Sequence, residues 1–156
     1  MSKKELAGLE SYRRFNEKTL TSKGISADMQ EILQALDASI AGKQEAILRG
    51  AAFDENDLVQ SCLAVGVCWG DQLVKRFNWE WVSVRLNGED LMAVVSPDRS
   101  LVIYPMSFVA QCLEVPDTDC AILLAYNMLD AGNISGMPAK GYLSVMDGVH
   151  RLVPKR

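Results

Sequence analysis

The chain has 156 residues, of which 49% are apolar, with 16 Lys and Arg against 20 Asp and Glu, a formal net charge of −4. That length fits one domain, and that apolar share supplies a core without disulfide or metal staples. The acidic balance excludes a nucleic-acid footprint, which needs clustered basic surface. The bases are instead dispersed, among them Lys3–Lys4, Arg13–Arg14, Lys75–Arg76, Arg151 and Lys155–Arg156.

In chain order, residues 1–20 predict a first amphipathic helix, with Leu6, Leu9 and Tyr12 at helical spacing. The "TSKGIS" stretch breaks it. A second helix starts at Ser26 as N-cap. Met29, Ile32, Leu33, Leu36 and Ile40 form one apolar stripe of 3.6-residue period, and Gly42 is read as its stop. A short separate helix is expected over "KQEAILRGAA". Asp54 caps a third helix, with Asp57 near its positive end and Phe53 and Leu58 placed as a hydrophobic staple. Its stripe runs through Leu58, Cys62, Val65, Trp69, Leu73 and Phe77. Gly66 and Gly70 share a face. Because each costs about 1 kcal/mol relative to alanine, together they predict another backbone close by, the following sheet being the obvious candidate.

Asn87-Gly88 is a two-residue hairpin turn in which both residues accept positive φ. It sets the register: Leu86 opposite Glu89, Arg85 opposite Asp90, Val84 opposite Leu91, Val82 opposite Ala93 and Trp81 opposite Val94. Val82, Val84, Leu91, Ala93 and Val95 then share one face, read as the core face. Trp81, Ser83, Arg85, Asp90, Met92 and Val94 share the other, where Arg85 and Asp90 pair. "SPDRS" turns the chain into a third strand, Leu101 to Tyr104, which Pro105 ends. A short helix over "MSFVAQCLE", stopped by Pro116, and a helix over 118–131 ending at Gly132 follow. A glycine-rich loop leads to a tail, "YLSVMDGVHRLVPKR", read as a strand or a docked extension, between which periodicity does not decide. The fold class is therefore α+β: N-terminal helices, a three-stranded antiparallel β-meander and C-terminal helices. It forms one domain over 1–156, with parts at 1–53, 54–114 and 115–156.

Few chemistries survive this reading. The one histidine, His150, lies near the C-terminus beside Arg151, so any Ser-His-Asp or Cys-His system would depend on it. Cys62, Cys68, Cys112 and Cys120 lack CxxC spacing and sit among apolar neighbours, which predicts free thiols and no metal. No phosphate-binding glycine motif is present, and "GMPAKGY" lacks the P-loop order. Asp71, beside Trp69, reads as an exposed helical aspartate facing Lys75, or as an acid or polar anchor in a groove. Trp69, Trp79 and Trp81 fall within thirteen residues. They read first as helix–sheet core and second as a stacking wall or partner anchor. No signal-peptide core and no apolar run of membrane-spanning length is seen, so a cytoplasmic, reducing location is expected.

The stretch "AVGVCWGDQLVKRFNWEWVSV", the hairpin after it and "LVIYPMSFVAQCLE" resemble a bacterial domain family of unknown function. The residues that carry the likeness are Gly66, Gly70, Leu73, Val74, Trp81, Val82, Pro105, Ser107 and Val109, within residues 58–114. The resemblance implies a fold and brings no catalytic residue with it. The leading expectation is a non-catalytic protein-binding domain without cofactor, of the type of an immunity protein that inhibits a basic toxin. Trp69, Asp71, Trp79, Trp81 and Arg85 are its candidate contact residues. The alternatives are a small-molecule-binding or enzymatic domain with a groove near Asp71 and the tryptophans, and a homodimeric structural subunit.

Overall fold

A computed structural model describes residues 1–134 and 136–150. The elements, in order, are α1 (Lys3–Ser22), α2 (Met29–Leu48), α3 (Glu55–Phe77), β1 (Glu80–Leu86), β2 (Glu89–Val95), β3 (Leu101–Ile103), α4 (Pro105–Glu114), α5 (Ile122–Asp130), β4 (Leu143–Ser144) and α6 (Val145–His150). The side chain of His150, and Arg151, Lys155 and Arg156, lie outside the described residues.

The α+β class holds, but the sheet differs from the expected meander. It has four strands in the order β1-β2-β3-β4. The first three are antiparallel, and β4 joins β3 in parallel, Leu101 opposite Leu143 and Val102 opposite Ser144. A two-residue strand leaves no alternation to read, so its pairing is set by tertiary docking rather than by local pattern. The β1–β2 register is the one that the Asn-Gly turn dictates, from Leu86 opposite Glu89 down to Trp81 opposite Val94.

The expected core face is corrected. The helices pack on the side of Trp81, Val94 and Ile103, which belong to the main core with Trp69, Leu73, Phe108 and Ile122. Ala93, Val95 and Val102, flanked by Val82, Val84 and Tyr104, form a separate small cluster. Charged residues near the turn disguised the helix-facing side. Deeper in the sheet, Ala93, Val94 and Val95 are all fully buried, so the strand reads as a continuous apolar run rather than an alternation.

Helix boundaries follow local chemistry. Ser2 and Glu5 close a reciprocal capping box on α1. Asp28, not Ser26, caps α2 through the Glu31 amide, and the Ser26 hydroxyl donates to the Glu31 side chain. Gly42 does not stop α2. It has open space around it, and α2 runs on as a single helix to Leu48, so the separate helix expected there is the second half of α2. The actual stop is Gly50, at φ +88°, where the Gly50 amide donates to the Ile47 carbonyl and that of Ala51 to Ala46. The same glycine-ended motif closes α1 at Gly24 and α5 at Gly132. Asp54 caps α3 as expected, and Pro105 occupies the first turn of α4, where its missing N–H costs nothing. Helix α5 starts at Ile122, later than the sequence suggests, because its cap comes from another helix, as described below.

Candidate functional site

Helix α1 contributes one buried side chain, Leu9, and is otherwise held across α3 by polar bonds. The Tyr12 hydroxyl donates to Gln60 Oε1 at 2.6 Å, and Asn16 Nδ2 donates to the Ala64 carbonyl at 2.9 Å. Arg13 grips Asp71 with two bonds, Nε to Oδ2 at 2.8 Å and Nη2 to Oδ1 at 2.9 Å. Asp71 Oδ1 also accepts from Trp81 Nε1 at 3.0 Å. This carboxylate therefore joins α1, α3 and β1, with 13% of its side chain exposed. Its partner is Arg13 rather than Lys75, the partner expected from i, i+4 spacing. Hydrogen bonding to Asp71 raises the Arg13 pKa above its ordinary value and keeps the guanidinium charged.

The other candidate residues separate. Trp69 is fully buried, edge-on to Phe108 at a centroid distance of 5.5 Å. Trp79 is 6% exposed and packs on Phe77. Neither presents a surface to a partner or a ligand. Trp81 is half-buried, tied to Asp71 and fitted over Gly70. Arg85 is exposed near the hairpin tip and paired with Asp90, whose carboxyl the guanidinium holds below its usual range. The tryptophans thus do not assemble a wall around Asp71.

Two clefts accompany α1. One, of about 690 Å³, runs past Arg13, Glu17, Met29, Asp71, Gln72 and Lys75. This is a groove beside Asp71, as one sequence reading expected, but no tryptophan lines it, and Arg13 and Asp71 already engage each other. The other, of about 260 Å³, lies between α1, α2, α3 and α4. Leu20, Leu36, Ile40, Val65, Val109 and Leu113 give it apolar walls, and Phe15, itself 56% exposed, belongs to the lining. Asn16, Thr19, Ser39, Gln60 and Ser61 supply neutral polar groups. Lys23 and Lys43 supply charge, and the lining includes no carboxylate. The Lys43 ammonium stands 4.8 Å from the ring centroid of Phe53. Cys68 is common to both clefts, and burial pushes its thiol up to about 11, so it is a thiol and not a thiolate at neutral pH.

Two polar residues of α2 hold α4 and α5 around this region. The Asp37 carboxylate accepts from the amides of Ile122 and Leu123, at 3.1 and 3.0 Å. It caps α5 from another helix, because the cap residue of α5, Ala121, has no oxygen to offer. Gln44, fully buried, donates through Nε2 to the carbonyls of Cys112 and Thr118. Sequence reading passed over both, although a signal was there. Leu33, Asp37, Ile40 and Gln44 follow one another by four, three and four residues, so both polar groups lie in the apolar stripe. A polar residue there requires a buried partner.

Among the described residues, no group of three or more His, Cys, Asp or Glu side chains is arranged to hold a metal ion, and no helix is long and apolar enough to cross a membrane. The molecule is thus an α+β domain with an apolar cleft in its helical layer. The chain belongs to the family described as Domain of unknown function (DUF3806), whose model matches residues 42–126. That span runs from the second half of α2 to α5 and includes Gly66, Gly70, Asp71 and Trp81. No curated protein and no solved structure matches the chain.

Proposed function

We propose that the protein is a non-catalytic binding domain, cytoplasmic, that takes a ligand into the cleft between α1, α2, α3 and α4. One observation supports this: four helices converge on an apolar concavity of about 260 Å³ that their own side chains leave open. Interiors pack to crystal-like density, so an open apolar hollow costs stability that packing would otherwise supply. Small-molecule sites have this form, with apolar walls and a few placed polar groups. The occupied state of Asp71 argues against acid–base work there, since Arg13 and Trp81 already take both carboxylate oxygens.

A protein partner is the second reading, favoured by Phe15, which lines the cleft and is mostly exposed. A toxin held by an immunity-type inhibitor would be such a partner, with the net charge of −4 steering a basic one. The two readings separate experimentally. Ala64→Phe and Ser39→Trp each place a ring at the cleft while leaving its polar ties in place. Binding of an apolar fluorescent probe to the wild type, lost in both variants at unchanged melting temperature, supports the ligand reading. A protein recovered by pull-down that binds both variants as well as the wild type, with no probe bound at the cleft, overturns it.

A further inference from the structure

We infer that the ligand of the α1–α4 cleft is a free single-chain fatty acid, with its acyl chain in the apolar hollow and its carboxylate between Lys23 and Lys43. The inference rests on the reading of the cleft as a binding site and adds the chemistry of what it takes. The chain carries 20 acidic and 16 basic residues, yet this cleft has two lysines and no acid in its lining. The ion pairs among the described residues are made by arginines, and neither Lys23 nor Lys43 is in one. The second cleft makes the contrast. It is larger, but its lining holds Glu17 and Asp71 beside Arg13 and Lys75, so its charges balance, and Arg13 is already paired with Asp71.

Lys23 and Lys43 enter from different elements. Lys23 is the C-cap residue of α1, and Lys43 lies in the second half of α2. Lys43 is steadied over Phe53, which leaves its remaining N–H directions free to donate. A carboxylate can accept from two ammonium groups at once. The same lining holds Leu20, Ile25, Leu36, Ile40, Val65 and Leu113, which offer dispersion and desolvation to methylenes, and its other polar members, Asn16, Thr19, Ser39, Gln60 and Ser61, are neutral. A cleft of about 260 Å³ matches one short acyl chain in size.

The test is calorimetric titration of the full chain, below micelle-forming concentrations, with decanoate, decanol and decyltrimethylammonium. The expected result is decanoate binding about tenfold or more tighter than the other two. Lys23→Gln/Lys43→Gln should remove that preference while leaving decanol affinity unchanged, and Ala64→Phe or Ser39→Trp should weaken all three. Equal affinity for decanoate and decanol in the wild type overturns the fatty-acid assignment and leaves the cleft reading standing. Failure of all three to bind, together with no response of any apolar probe to the cleft-filling variants, overturns both. Binding to phosphatidylglycerol vesicles that survives Ser39→Trp, without binding of free decanoate, points to a membrane surface and also overturns the assignment.

Discussion

The indole of Trp81 occupies the space that a side chain at Gly70 would take. A β-carbon at position 70 would lie 2.2 Å from Cζ2 and 2.5 Å from Cη2 of that ring. The strand thereby reaches the backbone of α3, and Trp81 Nε1 reaches Asp71 one residue on. Gly66 serves α4 in the same way. A β-carbon there would lie 2.7 Å from Met106 Cγ and 2.9 Å from the Met106 backbone nitrogen.

Gly70→Ala should therefore destabilise, although glycine to alanine inside a helix ordinarily gains about 1 kcal/mol. Overpacking of this kind costs about 1–3 kcal/mol, so with a β-carbon this close to two ring atoms a net loss of up to about 2 kcal/mol is expected by urea denaturation. The decisive comparison is with Trp81→Ala in the background. Once the indole is gone, alanine at 70 should be neutral or favourable, giving a coupling of about 2 kcal/mol in the double-mutant cycle. Additive effects would mean that the close approach is not what requires glycine.

The Arg13 clasp predicts a different signature. Arg13→Ala removes two charge-assisted bonds from a largely buried carboxylate. Loss of one partner of a buried pair costs about 3–5 kcal/mol. Arg13 is 39% exposed, however, so solvent screening brings the expected loss to about 1–2 kcal/mol. Because α1 has one buried side chain, its middle should also open more often, so limited proteolysis should cut within 3–22 before the rest of the chain. Arg13→Lys should recover only part of the loss, since an ammonium cannot reproduce the forked geometry. A cleavage pattern identical to that of the wild type would exclude the clasp as what holds α1 down.

Much of the fold is legible where a local rule has one solution. Asn87-Gly88 fixes the hairpin register residue by residue, because only a two-residue turn with both φ values positive joins those strands. Asp54 starts α3, and Gly66 and Gly70 announce close packing, although only Gly70 meets the sheet while Gly66 meets α4. Gly42 misleads because a helix tolerates an exposed glycine when its stripe continues, here to Gln44 and Ile47. The core face misleads because the polar residues that mark a surface lie at the hairpin tip, beyond the helices. The site is less legible. Arg13 and Asp71 are 58 residues apart, and nothing local pairs them. A cleft is made by what four helices fail to fill, which no single segment encodes.

The cysteines should behave as packing groups. All four are free. Burial pushes the Cys68 thiol to about 11 and also raises Cys62, while contact with the Cys112 thiol, and then burial, raises Cys120. Against an ordinary value of 9.0, the Cys68 shift alone leaves about a hundredfold less thiolate at neutral pH. Iodoacetamide at pH 8 should thus label the native protein slowly and the urea-unfolded protein rapidly, with four thiols modified. Rapid labelling of native Cys68 at unchanged stability would contradict this placement.

Asp37 gives a pH dependence of unusual sign for an aspartate. Burial raises its pKa above the ordinary 3.8, and the amides of Leu123 and Ile122 and the thiol of Cys120 pull it back only in part. A raised folded pKa means that the folded state binds the proton first. Between the ordinary value and the higher folded one, the native protein holds more protons than the unfolded chain. Stability from this group is then fully present below the ordinary value and lost as pH rises through the folded value. Asp98 runs the other way, since the Ser100 hydroxyl and amide and the Ser96 hydroxyl lower its pKa, and its contribution is lost on acidification. Asp37→Asn removes the titration and keeps one oxygen acceptor for the α5 amides. The stability of the wild type relative to this variant should therefore rise as pH falls from 7 to 4. Asp37→Ala leaves the Ile122 and Leu123 amides without the Asp37 carboxylate and should cost about 1–3 kcal/mol at pH 7. Urea denaturation of the three proteins at each pH is the measurement. A difference between wild type and Asp37→Asn that is flat or falls with acidification would show that burial does not dominate the Asp37 carboxyl.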